Sequence, residues 1–171
     1  MPRLLLAEDD EIMRITVQDR LTKHNWEVDA VQNGTDAAAR VQGQNYHLVI
    51  SDIRMPGRDG FYLLDYALQQ DPDLPVVLLT GEGDIPMAVK AMAQGAFDFL
   101  EKPCAPADLL AVLERAIKTR HLVLENRRLR AQLERGDAAA RMLFGTSQKA
   151  ETLRENVRQV ARARTEVLVL G

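Results

Sequence analysis

The chain has 171 residues, a formal net charge of −3, 46% hydrophobic and 27% charged residues, and one cysteine. That length fits one core domain plus an appendage, the mild acidity leaves no overall nucleic-acid footprint, and the lone Cys104 excludes an intramolecular disulfide framework and fits a reducing compartment. No apolar run approaches the roughly 18 residues that cross a bilayer and no basic-then-apolar start marks a signal peptide, so a cytoplasmic protein with no membrane partner is expected.

Five short apolar runs follow in order: Leu4 to Ala7, Val28 to Val31, Leu48 to Ile50, Val76 to Leu79, and Phe97 to Leu100. Several are continuous rather than alternating, as in strands buried on both faces of a parallel sheet. The segments between them are long enough for helices. Met13, Val17 and Leu21 trace one helical face; Ile85, Ala88, Val89 and Met92 trace another, with Asp84 at the N-cap position. Strand and helix alternate five times, which predicts a doubly wound α/β domain over about residues 2–118. Trp26 and Phe61 are expected in its core.

Beyond Pro103 the pattern changes. No Gly or Pro occurs from Asp108 to Arg135, and residues 114–135 hold seven Lys/Arg against three Asp/Glu. This predicts a last domain helix running on into a long exposed one. Gly136 before Asp137-Ala138-Ala139-Ala140 marks an expected break. A further helix is expected over about 147–163, and Val167 to Leu170 has the composition of a strand.

Ligand-binding loops of such a sheet lie at the carboxyl ends of its strands. Glu8, Asp9 and Asp10 follow the first strand, Asp52 the third, Thr80 closes the fourth and Lys102 the fifth. Clustered carboxylates do not stay ionised together without a counter-charge, and a hard divalent cation such as Mg²⁺ supplies one. With an aspartate as nucleophile, the set suits phosphoryl transfer by positioning and charge stabilisation. Lys102 would add positive charge and Thr80 a hydroxyl donor. Taken singly, each residue has a plainer account: Asp10 or Glu11 caps a helix, Asp52 is a turn residue, Thr80 a strand former and Lys102 a solvated cation. Their ordered combination favours the site.

Ser51-Asp52-Ile53-Arg54-Met55-Pro56-Gly57 with Asp59-Gly60, Leu79-Thr80-Gly81, and Gly95 through Lys102-Pro103 resemble the motifs of the two-component receiver family over about residues 3–118. The resemblance implies a flavodoxin-like five-stranded sheet with Asp52 as phosphoacceptor, phosphorylated by a sensor histidine kinase. It implies Glu8 and Asp9 as the acidic pair, and Asp9, Asp52 and the Arg54 main-chain carbonyl on Mg²⁺. It further implies Thr80 and Phe99 as a switch pair, and Lys102 as the phosphoryl-binding lysine before a cis-proline. Two positions depart from the family pattern: Glu8 stands where Asp is more usual, and Cys104 where Phe is frequent.

The tail resembles a narrower group, regulators that activate the sigma-54 polymerase. Gly145-Thr146-Ser147 and Val160 through Gly171 look like the opening of their AAA+ ATPase module. Asp73-Leu74-Pro75, Thr80 through Val89 and Leu124-Glu125-Asn126-Arg127 are similar to the C4-dicarboxylate transport regulators within that group. The implied organisation is a receiver over 1–118, a helical linker over 119–142 and the start of an ATPase over 143–171. DNA and polymerase would be engaged through domains beyond this stretch. In the linker, Thr119, Asn126 and Leu133 occupy heptad a positions and Leu122 and Leu129 d positions, the pattern of a parallel two-stranded coil with an Asn fixing register. About two clean heptads also fit a single amphipathic helix packed on its own domain. The family pattern favours a homodimer with Leu122, Asn126, Leu129 and Leu133 at its seam.

Two other functions compete with this reading. A haloacid-dehalogenase-like phosphohydrolase uses the same residue types, but its nucleophile lies on the first strand. A non-phosphorylated pseudo-receiver conflicts with the intact Asp52, Thr80 and Lys102 set. His24, His47 and His121 give no metal-ligand spacing, and no complete phosphate loop is present. A receiver acting as a phosphorylated switch, not a turnover enzyme, is the expectation.

Overall fold

Each apolar run forms a strand: β1 (Arg3–Ala7), β2 (Glu27–Val31), β3 (Leu48–Asp52), β4 (Val76–Thr80) and β5 (Asp98–Glu101). Helices α1 (Glu11–Lys23), α2 (Gly34–Gly43), α3 (Gly60–Gln70) and α4 (Ile85–Ala93) connect them, and α5 (Pro106–Phe144) follows. The computed structural model describes residues 1–81 and 84–144, the last four by backbone alone. The helix and strand expected beyond residue 145 lie outside the described residues.

All pairings are parallel, in the order β2-β1-β3-β4-β5. This is the doubly wound, flavodoxin-like arrangement expected. The central strands β3 and β4 are buried at every residue, whereas the edge strands β2 and β5 are only partly covered. Alternate residues feed two cores. Leu5, Val49, Val76 and Leu78 pack with Ala37, Leu63, Leu64 and Ala91 of α2, α3 and α4. Leu4, Leu6, Ile50, Val77 and Leu79 pack with Val17 and Leu21 of α1 and with Leu109, Leu113, Ala116 and Ile117 of α5. Trp26 and Phe61 are buried as expected.

Two local expectations fail. The stripe Ile85, Val89 and Met92 on α4 faces solvent, at 66%, 63% and 43% exposure. The buried face is Ala88 and Ala91, whose small side chains let the helix lie close to the sheet. Gly136 does not end a helix: α5 continues through it to Phe144. One interior Gly costs about 1 kcal/mol relative to Ala, and the following alanines are the strongest helix formers. The compact unit built on the sheet ends at His121.

Candidate functional site

The crevice between β1 and β3 is where the connections leave in opposite directions, and side chains just past the strand ends converge there. After β1, the Glu8 amide bonds to the Val31 carbonyl (3.1 Å), continuing the ladder by one residue and turning its side chain into the interior. Glu8 is buried and Asp9 exposed. Asp10 caps α1, its carboxylate accepting from the Met13 amide at 3.0 Å. Asp52 closes β3 and is buried. One ligand atom from each of Glu8, Asp9 and Asp52 lies within 4.8 Å of the others.

Lys102 reaches this cluster from beyond β5. Its amide bonds to the Thr80 carbonyl (2.8 Å), and the Lys102–Pro103 peptide is cis. The Lys102 ammonium donates to Asp52 Oδ2 at 2.7 Å and lies 2.9 Å from Glu8 Oε2. Burial disfavours ionised Glu8 and raises its pKa; the hydrogen bond from Lys102 opposes this, and the Asp52 charge adds to it. Burial alone would lower the pKa of Lys102, but the bonds to Asp52 and Glu8 outweigh it and the pKa is raised. Three carboxylates thus face one ammonium. The excess negative charge, on hard oxygen donors, fits a divalent cation such as Mg²⁺.

Glu8, Asp9, Asp52 and Lys102 are therefore brought together as the sequence implied. Thr80 is buried at the end of β4, its hydroxyl donating to the Leu100 carbonyl at 3.4 Å. Phe99 is half-buried on β5, in register with Leu78. Arg54 lies on the loop two residues past Asp52, its side chain exposed and paired with Asp84. On α5, Leu122 and Leu129 are exposed while Asn126 and Leu133 are half-buried.

Sequence reasoning missed three contributors. Arg14 donates to the Glu8 carbonyl at 3.0 Å, fixing the turn after β1; no residue pattern announces it. Gly60, quoted only as part of a motif, donates its amide to the Ile53 carbonyl at 2.8 Å, and a Cβ there would stand 2.5 Å from the Asp52 carbonyl oxygen. The absent side chain is what lets α3 start against the end of β3. The third contributor is the bond between Arg54 and Asp84.

Residues 4–114 match the response regulator receiver domain family. The chain belongs to that family. Over 170 residues it is 41% identical to the C4-dicarboxylate transport transcriptional regulatory protein DctD of Rhizobium meliloti, covering 99% of this chain. The protein of the same name from Pseudomonas aeruginosa is 43% identical over 173 residues, again covering 99% of this chain. The chain spans 37% of the length of each. Among solved structures, NtrX from Brucella abortus superposes with a TM-score of 0.70 at 32% identity, over 81% of this chain and 34% of that one. The relatives are transcriptional regulators, and the resemblances to the receiver family and to the C4-dicarboxylate regulators are borne out. Among the described residues of this receiver domain, no helix is long and apolar enough to cross a membrane.

Proposed function

We propose that the receiver domain accepts a phosphoryl group on Asp52 from a sensor histidine kinase, and that the modification controls a sigma-54-activating ATPase through a dimer formed by α5. Glu8, Asp9, Asp52 and the Arg54 main-chain carbonyl would hold Mg²⁺, which when bound neutralises phosphoryl oxygens. A carboxylate oxygen of Asp52 attacks phosphorus in line. The P–N bond to the kinase histidine breaks, its electron pair returning to the imidazole, which takes up a proton, and a P–O bond to Asp52 forms. Lys102 holds Asp52 before attack and screens the new charge after it. The Thr80 hydroxyl turns from the Leu100 carbonyl to a phosphoryl oxygen, and the Phe99 ring fills the space vacated.

One observation carries this reading: a buried aspartate at a strand end, bonded to a lysine at 2.7 Å and beside two further carboxylates. Incubation with acetyl phosphate and Mg²⁺ should add one phosphoryl group per chain by intact mass. Chelation of Mg²⁺, or Asp52→Asn, should abolish the addition. Unchanged labelling of the Asn variant would falsify the assignment.

A further inference from the structure

Four helices of the domain begin at an N-cap residue of the type that accepts a hydrogen bond from the third helical amide. Three of them do so. Asp10 accepts from Met13 at 3.0 Å, Asn33 from Asp36 at 2.8 Å and Asp59 from Tyr62 at 2.9 Å. Asp84, at the same position of α4, makes no cap bond. Its backbone differs too, with ψ of 61° against 117°, 168° and 179° at the other three. The Asp84 carboxylate is engaged elsewhere: Arg54 Nη2 donates to its Oδ2 at 3.2 Å.

Arg54 follows Asp52 by two residues on the loop after β3. Its side chain is 80% exposed, so the pair with Asp84 is weak and readily exchanged. A phosphoryl group on Asp52 would bring up to about two negative charges and three acceptor oxygens to the end of β3, two residues before Arg54. A guanidinium can bond either group through paired acceptors, but the dianion attracts it more strongly than the single charge of a carboxylate. We infer that Arg54 is exchanged between the Asp84 carboxylate and the phosphoryl group, and that phosphorylation thereby frees Asp84 to cap α4. Pro86 has no N–H, so the amide Asp84 would meet is that of Met87, the third helical residue. The exchange couples the charge at Asp52 to the first turn of α4 by a route separate from Thr80 and Phe99. It rests on phosphorylation of Asp52 as proposed above.

The test uses the full chain and amide exchange at Met87, with intact mass reporting the phosphoryl group on the same samples. In wild type, acetyl phosphate with Mg²⁺ should slow Met87 exchange about fivefold, the usual weight of a side-chain cap. Arg54→Ala should show the slowed exchange before any phosphate is added and gain little afterwards. Arg54→Lys should behave more like wild type. Asp84→Ala should label at Asp52 yet never gain protection. Protection gained without phosphate on removing Arg54 is not what a merely structural role of that side chain would give. Met87 exchanging in unmodified Arg54→Ala as it does in wild type would overturn the inference, as would labelled Asp84→Ala gaining the wild-type protection. If wild type takes no label at all, the phosphoacceptor reading fails first, and the mass measurement identifies that failure.

Discussion

Glu8 carries opposed demands. Its burial and its closeness to Asp52 outweigh the hydrogen bond from Lys102 and leave the ionised form disfavoured, so its folded-state pKa lies above the ordinary 4.5. A raised carboxylate pKa means the associated stability is complete below pH 4.5 and is lost as pH rises through the folded value. At neutral pH, therefore, the ionised side chain costs stability in the metal-free protein. Glu8→Gln should melt a few degrees higher than wild type at pH 7 without Mg²⁺, the scale of about 1 kcal/mol in a domain of this size. Lys102 keeps its bond to Asp52, so the change leaves no unpaired ammonium. The advantage should vanish near pH 4, and added Mg²⁺ should stabilise the variant less than wild type. Thermal melts across pH, with and without Mg²⁺, decide this; a metal-free variant that melts lower at pH 7 refutes it. The residue types of the site were legible in the sequence because strand ends in a doubly wound sheet are fixed by topology. That Glu8 is buried while Asp9 is exposed was not, since both follow the same strand and only the packed environment separates them.

At the scale of elements, the start of the sheet holds a pH-sensitive join. The His47 amide bonds to the Arg3 carbonyl at 2.8 Å, and Arg3 N–H donates back to His47 Nδ1 at 3.2 Å, tying the start of β3 to β1. Nδ1 can accept only when the ring is neutral at that nitrogen. Burial lowers the His47 pKa, and the positive charges of His121, Arg120 and the chain amino terminus lower it further. A depressed histidine pKa contributes stability that is present above about pH 6.5 and lost as pH falls through the folded value. Wild type should therefore lose stability below pH 6.5 more steeply than His47→Asn, which keeps an acceptor but does not titrate. Urea unfolding at several pH values reads the difference, and parallel slopes for the two proteins would exclude the join. His47 and His121 looked unrelated in sequence, yet their rings meet edge-on at 5.5 Å because the last domain turn of α5 lies against the start of β3. On α4, periodicity correctly gave a helix but not its buried face, since Ala88 and Ala91 bury by close approach rather than by size.

At the scale of the whole molecule, the proposed pairing of α5 with a second copy is open to direct test. Leu122 is 64% and Leu129 37% exposed in the single chain, so both are available for the d-position pairing proposed for α5. In the proposed dimer both would be buried at the seam, so Leu122→Ala with Leu129→Ala would be costly, and even 1.4 kcal/mol weakens association tenfold. If α5 pairs as proposed, wild type should sediment as a dimer at micromolar concentration and the double variant as a monomer. Its phosphorylation at Asp52 should persist, because the acidic pocket belongs to the unit ending at His121. A monomeric wild-type chain at high concentration would remove the coiled coil from the proposal.

The sequence by itself determined the fold class and which candidate residues fall at the strand ends. Five apolar runs separated by helical segments admit few other parallel arrangements, and the acids, Thr80 and Lys102 sit at positions that such a sheet brings to one edge. Local signals also offered caps at Asp10, whose carboxylate accepts the Met13 amide, and at Asp84, whose carboxylate makes no cap bond. Only the tertiary structure decided which groups bear on one another across distance in the chain. The bond of Lys102 to Asp52 spans fifty residues and that of Arg54 to Asp84 thirty. Gly60 owes its role to an oxygen of Asp52 that no local pattern places beside it. Periodicity records how a segment meets its own neighbours along the chain. Burial, exchange of ion pairs and steric exclusion depend on what the fold brings from elsewhere.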